Sequence, residues 1–259
     1  AGTRVRYLDC DVEEPNGHLF LHPALNTTQA VTVPVPAVDS TLCTGCGQCA
    51  KICAYGAIAC VKKKVLTFLE LCHGCGGCVR ICPVGAIREA GREVGVVAAG
   101  CAQEVDFVHG CLRIGEAMSP PLIRAVRKQP GTAAFDIIDA PPGTSCPVIT
   151  AIRGVDCVVL VTEPTPFGLN DLGLALDMVR ELGIPHAVVV NRHNAENHSA
   201  RRFCAARGVT IAGEIPDDRR VAEAYSRGLL PVDALPEYRP LFLSLWDAIM
   251  NIAAAKETA

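Results

Sequence analysis

The stretch CTGCGQCAKIC at residues 43–53 returns with small changes as CHGCGGCVRIC at residues 72–82. Both copies have the spacing C-x2-C-x2-C-x3-C and are rich in glycine. The repeat is 29 residues long, counted from Cys43 to Cys72, and so short and loop-rich a unit buries too little apolar surface to fold by hydrophobic packing alone. Another interaction must therefore hold residues 38–90 together.

The spacing predicts two [4Fe–4S] clusters, because three thiolates of such a run reach one cluster and the fourth belongs to the other. Zinc binding or unliganded buried thiols are the alternative, and disulfides would suit a short secreted chain instead. The segment resembles a bacterial-type two-cluster ferredoxin, with Pro83 after the last cysteine but Ala54 at the equivalent place in the first run. The predicted ligands are Cys43, Cys46, Cys49 and Cys82 for one cluster, and Cys72, Cys75, Cys78 and Cys53 for the other.

Outside this segment, short apolar runs alternate with helical patterns. The runs are continuous and β-branched, as strands covered on both faces are. We therefore predict an α/β fold with a doubly wound, mostly parallel sheet. The predicted strands are 4–9, 134–139, 157–162, 186–191 and 209–215, and the predicted helices are 169–182, 197–208 and 237–256.

Composition limits the classes of partner. The 259 residues, 50% of them hydrophobic, suffice for one large domain or for one large and one small domain. The formal net charge of −3 offers no basic footprint for nucleic acid or an anionic membrane. Because there is neither an apolar run of roughly 18 to 20 residues nor a signal peptide, we expect a cytoplasmic protein.

Two predicted strands end in aspartates that precede turns. LDCDVEEPN at residues 8–16 contains Asp9 and Asp11, and IIDAPPGTSCP at residues 137–147 contains Asp139 and Gly143. The carboxyl ends of parallel strands are where ligands bind in doubly wound sheets. P-loop proteins hold Mg2+ and sense a γ-phosphate with such residues, although strand-end aspartates also occur as simple caps.

Five segments together resemble the MinD/ParA/Mrp class of P-loop ATPases: DCDVEEPN, DAPPGTSCPV, VTEPTPFGL, VVVNR and IPDD, in this order. More narrowly, they resemble the subgroup that carries an inserted ferredoxin domain. The resemblance implies an ATPase domain of residues 1–37 and 91–259, a ferredoxin domain of residues 38–90, and binding of ATP with Mg2+.

The resemblance also implies roles for individual residues. Asp11 would lie in switch I and position the attacking water, with Asp9 beside it near the metal. Asp139 would be the Walker B acid and Gly143 part of switch II. The residues bordering the adenine would be Asn191 and Arg192 on one side and Pro216 and Asp217 on the other.

The glycine-rich phosphate loop of this class, K-G-G-x-G-K-[ST], does not occur among the 259 residues. The resemblance places it before Ala1, and residues 4–9 would then be the second strand of a sheet whose central strand precedes them. We expect a preceding segment to supply this loop, because nothing else here would cradle the phosphates. ATP hydrolysis is expected only when that loop is present.

Seven cysteines lie outside the two runs. Cys111 and Cys146 are spaced around Asp139 much like the cluster ligands of the nitrogenase iron protein, a more distant relative in the same class. The resemblance implies a third [4Fe–4S] cluster shared across a homodimer, and ordinary thiols are the alternative. The remaining five are predicted to be small buried side chains: Cys10, Cys60, Cys101, Cys157 and Cys204.

Two functions follow as hypotheses. In the first, ferredoxin clusters exchange electrons with a partner protein under the control of nucleotide state in a homodimer. In the second, the protein assembles or carries a cluster for an acceptor protein and uses Cys111 and Cys146 as the transfer site. A MinD-like role at a membrane is disfavoured because residues 241–259 contain only one basic residue, Lys256.

Two further points concern the host and the insert. Clusters of this kind are oxygen-sensitive, which suggests an anaerobic host. The run KKK at residues 62–64 is either the solvated turn of a hairpin or a docking patch for an acidic redox partner.

Overall fold

The computed structural model describes residues 4–254. Its strands are β1 Val5–Asp9, β2 Ala24–Val38, β3 Ile58–Val61, β4 Lys64–Thr67, β5 Ile87–Ala102, β6 Val105–Leu112, β7 Phe135–Asp139, β8 Val158–Thr162, β9 His186–His193 and β10 Ile211–Pro216. Its α-helices are α1 His18–Leu21, α2 Gln48–Ile52, α3 Gly77–Ile81, α4 Pro120–Arg127, α5 Cys146–Ile152, α6 Pro166–Glu181, α7 Ser199–Arg207, α8 Arg219–Tyr225, α9 Pro231–Ala234 and α10 Arg239–Ala254. Two 3-10 turns lie at Leu69–Leu71 and Pro236–Tyr238.

The described residues form two compact units, one of residues 4–15 and 23–139 and the other of residues 16–22 and 140–254. The first unit contains a five-stranded sheet in the order β2-β5-β6-β1-β7. Strands β6, β1 and β7 are mutually parallel, whereas β2, β5 and β6 are antiparallel. Leu8 and Phe107 are fully buried in this sheet, as expected for strands covered on both faces.

The second unit contains a parallel three-stranded sheet in the order β10-β9-β8. Val188 and Val190 of β9 pack with Leu172 and Leu176 of α6, and all four residues are buried. Residues two apart share one face of a strand and residues four apart share one face of a helix, so each pair faces the other element. The α/β fold with a mostly parallel sheet is thus confirmed. The predicted strands of both units lie within two residues of the observed ones.

The long strands β2 and β5 were not predicted. In β2, buried Val33 and Val35 alternate with exposed Thr32 and Pro34, which is the period of a strand with one covered face. Proline obscured this signal, because it is normally absent from sheets except at an edge, and β2 is an edge strand. Strand β6 was not predicted either, and Cys111 lies within it.

Residues 39–86 form an insertion between β2 and β5. It consists of α2, the β3–β4 hairpin, a 3-10 turn and α3. Two small clusters of buried side chains hold it, one around Val35, Ala57 and Cys72 and the other around Cys49 and Ile58. Such small clusters agree with the expectation that apolar burial alone does not fold this segment.

The described part of the chain contains no helix that is both long and apolar enough to cross a bilayer.

A buried ion pair joins β5 to the loop that follows β6. The Arg92 guanidinium donates to both carboxylate oxygens of Glu116, and the two side chains are 12% and 2% exposed. The backbone N–H of Met118 donates to the same carboxylate at 3.1 Å. Burial alone would raise the pKa of Glu116, but Arg92 and the neighbouring backbone donors outweigh it and hold that pKa below its usual value.

Glu116→Gln is expected to lower the free energy of unfolding by about 3 kcal/mol near pH 7, because it leaves the Arg92 charge buried without a counter-charge. A carboxyl whose pKa is lowered in the folded state contributes stability above its unfolded pKa, about 4.3, and loses it as pH falls through the folded pKa. The difference between wild type and variant should therefore shrink below about pH 4. Anaerobic urea unfolding followed by circular dichroism measures it.

Glu93→Gln is the matched control, since Glu93 is the next residue on β5 and is exposed. Its effect should stay within about 0.5 kcal/mol. Equal losses in the two variants would show that the ion pair does not stabilise this loop.

Candidate iron–sulfur and nucleotide sites

Eight cysteines of the insertion line two cavities, four in each. The first cavity is lined by Cys43, Cys46, Cys49 and Cys82, and the second by Cys53, Cys72, Cys75 and Cys78. Each cavity thus receives three thiols from one run and the last thiol of the other run. The groups of four are the ones that the spacing predicts, and their role as ligands stays a prediction.

The chemistry of these donors fits a [4Fe–4S] cluster. Backbone N–H groups point at sulfur, from Gly74 to Cys72 at 3.4 Å and from Ala86 to Cys82 at 3.2 Å. Burial alone would raise the pKa of Cys82, but donors from the backbone of residues 84–87 outweigh it and lower that pKa. Such N–H donors stabilise a thiolate and, in an iron–sulfur site, the ligated sulfur.

Glycines place the two short helices beside their cavities. Gly47 and Gly76 precede α2 and α3 in the left-handed conformation, with φ of 76° and 70°, which glycine adopts without a steric penalty. Among the glycines of the two cysteine runs, Gly45 is the most confined, because a Cβ built on it would lie 2.2 Å from the Lys63 carbonyl oxygen. The loop of the first run therefore packs directly against the turn of the β3–β4 hairpin.

The second cavity has an aromatic wall, and sequence reasoning did not identify Tyr55 as part of it. The rings of Tyr55 and His73 stack with centroids 3.7 Å apart, and both line the cavity. Each follows a predicted ligand by one or two positions, so proximity in sequence was the available signal. The His73 side chain therefore lies in the wall of the second cavity, beside the four thiols.

At the carboxyl ends of β1 and β7, three residues of the first unit lie side by side in one row: Asp139, Asp9 and, on the neighbouring β6, His109. Asp9 lies opposite Asp139 in the β1–β7 register and opposite His109 in the β1–β6 register. The Tyr7 hydroxyl donates to the Asp139 carboxylate, and the Asp11 backbone N–H donates to Asp9 Oδ1 at 3.2 Å. The structure therefore brings the three predicted aspartates together where such sheets bind ligands.

Electrostatics in this row disfavour further negative charge. Burial, followed by the charge of Asp139, raises the pKa of Asp11. Burial, followed by the hydrogen bond to Asp139, raises the pKa of Tyr7, and burial raises the pKa of Cys10 to about 12. A divalent cation would relieve this repulsion between carboxylates, in agreement with the predicted Mg2+ site.

The residues predicted to border an adenine lie in the second unit. Arg192 adopts a left-handed backbone with φ of 51°, and its guanidinium lies 3.4 Å from Glu163 Oε1. The Asp217 N–H donates to the His193 carbonyl at 3.0 Å, which ties the end of β10 to the end of β9 close to Asn191. Gly143, with φ of 93°, turns the loop that leads into α5.

A broad cavity adjoins the end of β10, and sequence reasoning identified only its first two residues. The Asp218 carboxylate accepts hydrogen bonds from Arg220 and from the Tyr238 hydroxyl, and the Arg220 bond is the main reason that the pKa of Asp218 is far below its usual value. The lining residues are Pro216, Asp217, Asp218, Arg219, Arg220, Glu237, Tyr238 and Leu241.

The seven other cysteines differ in exposure. Cys111 and Cys146 are exposed, one on β6 in the first unit and the other as the first residue of α5 in the second unit. The remaining five are buried or half-buried: Cys10, Cys60, Cys101, Cys157 and Cys204.

Gly45→Ala is expected to roughly halve the iron content of the anaerobically purified protein, because the loop of the first cavity would no longer close on the hairpin. Gly56→Ala is its matched control. Both glycines have φ near 66°, at 67° and 65°, but a Cβ on Gly56 meets nothing within 4 Å. The control therefore adds only about 1 kcal/mol of left-handed strain. Iron and sulfide counting checks the prediction, and equal iron in both variants would contradict it.

Comparisons with known proteins support two parts of this description. Residues 35–58 and 67–88 match two family models, each described as a 4Fe-4S binding domain. The fold is similar to that of the septum site-determining protein MinD from Pyrococcus horikoshii in complex with Mg-ADP, with a TM-score of 0.52 and 17% identity over 94% of this chain and 82% of that one. It is also similar to a variant of Cyanothece McdA in complex with ATP, with a TM-score of 0.54 and 13% identity over 95% of this chain and 85% of that one.

Three curated relatives resemble the chain in sequence. An iron-sulfur cluster carrier protein of Pyrococcus horikoshii is 27% identical over 38% of this chain and 39% of that protein. The uncharacterized protein MJ0579 of Methanocaldococcus jannaschii is 27% identical over 85% of this chain and 78% of that protein. MJ0578 of the same organism is 32% identical over 73% of this chain and 68% of that protein. The chain therefore belongs to the family of MJ0578, and it combines a MinD-like fold with two segments that match 4Fe-4S binding domains.

Proposed function

We propose that this protein is an iron–sulfur cluster carrier, in which Cys111 and Cys146 from two copies of the chain hold a transferable [4Fe–4S] cluster. The observation that carries this proposal is the exposure of these two thiols. Among the seven cysteines outside the two runs, Cys111 and Cys146 are exposed and the other five are not. A cluster that is to be handed over needs ligands that an acceptor's thiolates can reach.

One of the relatives supports the same function by its name. The Pyrococcus horikoshii relative is an iron-sulfur cluster carrier protein, although it matches only 38% of this chain.

Two thiols per chain are too few for a [4Fe–4S] cluster, which takes four. A homodimer in which each copy contributes Cys111 and Cys146 would supply the full set.

In this proposal the insertion and the third cluster have different tasks. The eight cysteines of the two runs line two cavities, and each run contributes thiols to both. Interlocked ligands of this kind resist loss of one cluster alone, and they suit resident redox centres. The cluster at Cys111 and Cys146 is the cargo.

In this proposal, the nucleotide and its metal bind beside Asp9, Asp11 and Asp139, where β1 and β7 end. A strand carrying the phosphate loop would pair with β7, which is one of the two edge strands of the first sheet. Among the described strands β7 pairs with β1 alone, and the backbone groups of an open edge are the ones that a further strand can bond. Hydrolysis would then change the loop that begins at Gly143, three residues before Cys146, and so alter the hold on the cargo.

Electron transfer gated by nucleotide is the second candidate function. The specific observation in its favour is the pair of adjacent four-thiol cavities, which would place two resident clusters in succession. The two functions differ in whether they require Cys111 and Cys146. A gated electron carrier works through its resident clusters, whereas a cluster carrier cannot transfer cargo without these two thiols.

Cys111→Ser and Cys146→Ser are each expected to abolish cluster transfer from the full-length, anaerobically reconstituted protein to apo-aconitase, measured as regained aconitase activity. Each should also lower the iron content from about ten to about eight atoms per chain, because only the shared cluster is lost. Cys157→Ser, which alters a half-buried thiol outside the insertion, is the control and should change neither value. Undiminished transfer by both exposed-thiol variants would refute the carrier function, and gated electron transfer would then be preferred.

A further inference from the structure

We infer that the lysine turn, residues Lys62–Lys64 at the tip of the β3–β4 hairpin, is the docking site of an acidic redox protein that exchanges electrons with the cluster of the first cavity. The inference rests on the proposed function only in requiring that the insertion hold its resident clusters. It names the partner class of those clusters, which the carrier function leaves open.

The lysine turn lies directly against the loop that would bind the first cluster. A Cβ on Gly45 would approach the Lys63 carbonyl oxygen to 2.2 Å, and Cys60 Sγ lies 3.6 Å from the Gly45 carbonyl oxygen. Val65, one residue after the turn, lines the first cavity together with the four thiols. A protein seated on this turn would therefore be next to the wall of that cavity.

The backbone conformation of the turn does not favour lysine at positions 62 and 63. Lys62 and Lys63 both have positive φ, at 47° and 65°, and they are the two residues between β3 and β4. Two-residue hairpin turns of this conformation favour Asn-Gly, and a residue with a Cβ is disfavoured by roughly 1 kcal/mol at each position. Because two adjacent residues hold this strained conformation, we expect the side chains of Lys62 and Lys63 to have a function.

The predicted ferredoxin domain, residues 38–90, has a net charge of opposite sign to that of the whole chain. Residues 38–90 contain six Lys or Arg and three Asp or Glu, which gives a formal charge of +3, whereas the chain as a whole carries −3. Half of the six positive charges lie in the lysine turn, and all three of its side chains are exposed. An acidic partner would thus be attracted to this tip and repelled by the remainder of the chain.

The hairpin also offers an apolar centre for an interface. Val61 pairs with Lys64 and Ala59 with Leu66 in the β3–β4 register, so Val61, Lys64 and Leu66 share one face of the hairpin. Val61 and Leu66 are 54% and 48% exposed on that outer face, whereas Ile58, which alternates with them, is 4% exposed. Exposed aliphatic side chains rimmed by charges are typical of a protein interface.

The test replaces the turn with the sequence that its backbone favours, Lys62→Asn together with Lys63→Gly. The probe is reduced flavodoxin, an acidic protein, mixed anaerobically with the oxidised full-length holoprotein in a stopped-flow instrument. One electron leaves the anionic hydroquinone of the flavin without proton transfer and reduces a cluster from +2 to +1. We expect the double variant to be at least as stable as wild type, yet to be reduced about five- to tenfold more slowly at low ionic strength. Added salt should remove most of that difference.

Two controls separate docking from damage. Arg124→Gln with Lys128→Gln removes two exposed positive charges from α4 and its end, outside the insertion, and should leave the rate within about twofold of wild type. The methyl viologen radical cation, a small reductant of opposite charge, should reduce the turn variant no more slowly than wild type. Iron content and visible absorbance show that the clusters remain.

An unchanged flavodoxin rate in the turn variant would overturn the inference, as would an equal loss in the α4 variant or a loss that salt does not diminish. None of these results depends on Cys111, Cys146 or nucleotide. Failure of the docking site is therefore distinguishable from failure of the carrier function, which is measured by transfer to apo-aconitase.

Discussion

The antiparallel pairing of β2 with β5 is the constraint on which the rest of the first unit depends. It runs over fourteen register positions, from Ala24 opposite Cys101 to Val38 opposite Ile87. At one end it attaches to β6 and thereby to the parallel strands whose carboxyl ends carry Asp9 and Asp139. At the other end it holds both ends of the insertion side by side. A single ribbon thus connects a sheet built by apolar burial with a segment whose main interactions are expected to involve thiolates.

Much of this architecture could be predicted from sequence because its signals are local. The spacing of the cysteine runs grouped the same four thiols that line each cavity, and continuous β-branched runs located β1, β7, β8, β9 and β10. The ribbon itself could not be found in this way. Most of its pairs join residues far apart in the chain, such as Ala24 and Cys101, and Pro34 and Pro36 disguise an alternating pattern that is tolerated only at an edge.

The finer parts of the sites depend on contacts that sequence does not encode locally. Tyr7 and Asp139 are 132 positions apart, yet the register of β1 with β7 makes them hydrogen-bond partners. Tyr238 reaches Asp218 across 20 positions. Stacking of Tyr55 on His73 likewise follows from the way the two runs fold onto each other. In each case the side chain that orients a site residue came from another element.

The closed base of the insertion has a consequence for how such a chain can change. Because Val38 and Ile87 are already neighbours across the ribbon, the 48 residues between them bridge almost no distance, and a tight turn would join the same two strands. Segments with adjacent ends can be exchanged as units without disturbing their host. The insertion can therefore be acquired, lost or replaced during evolution while the sheet that carries it keeps its register.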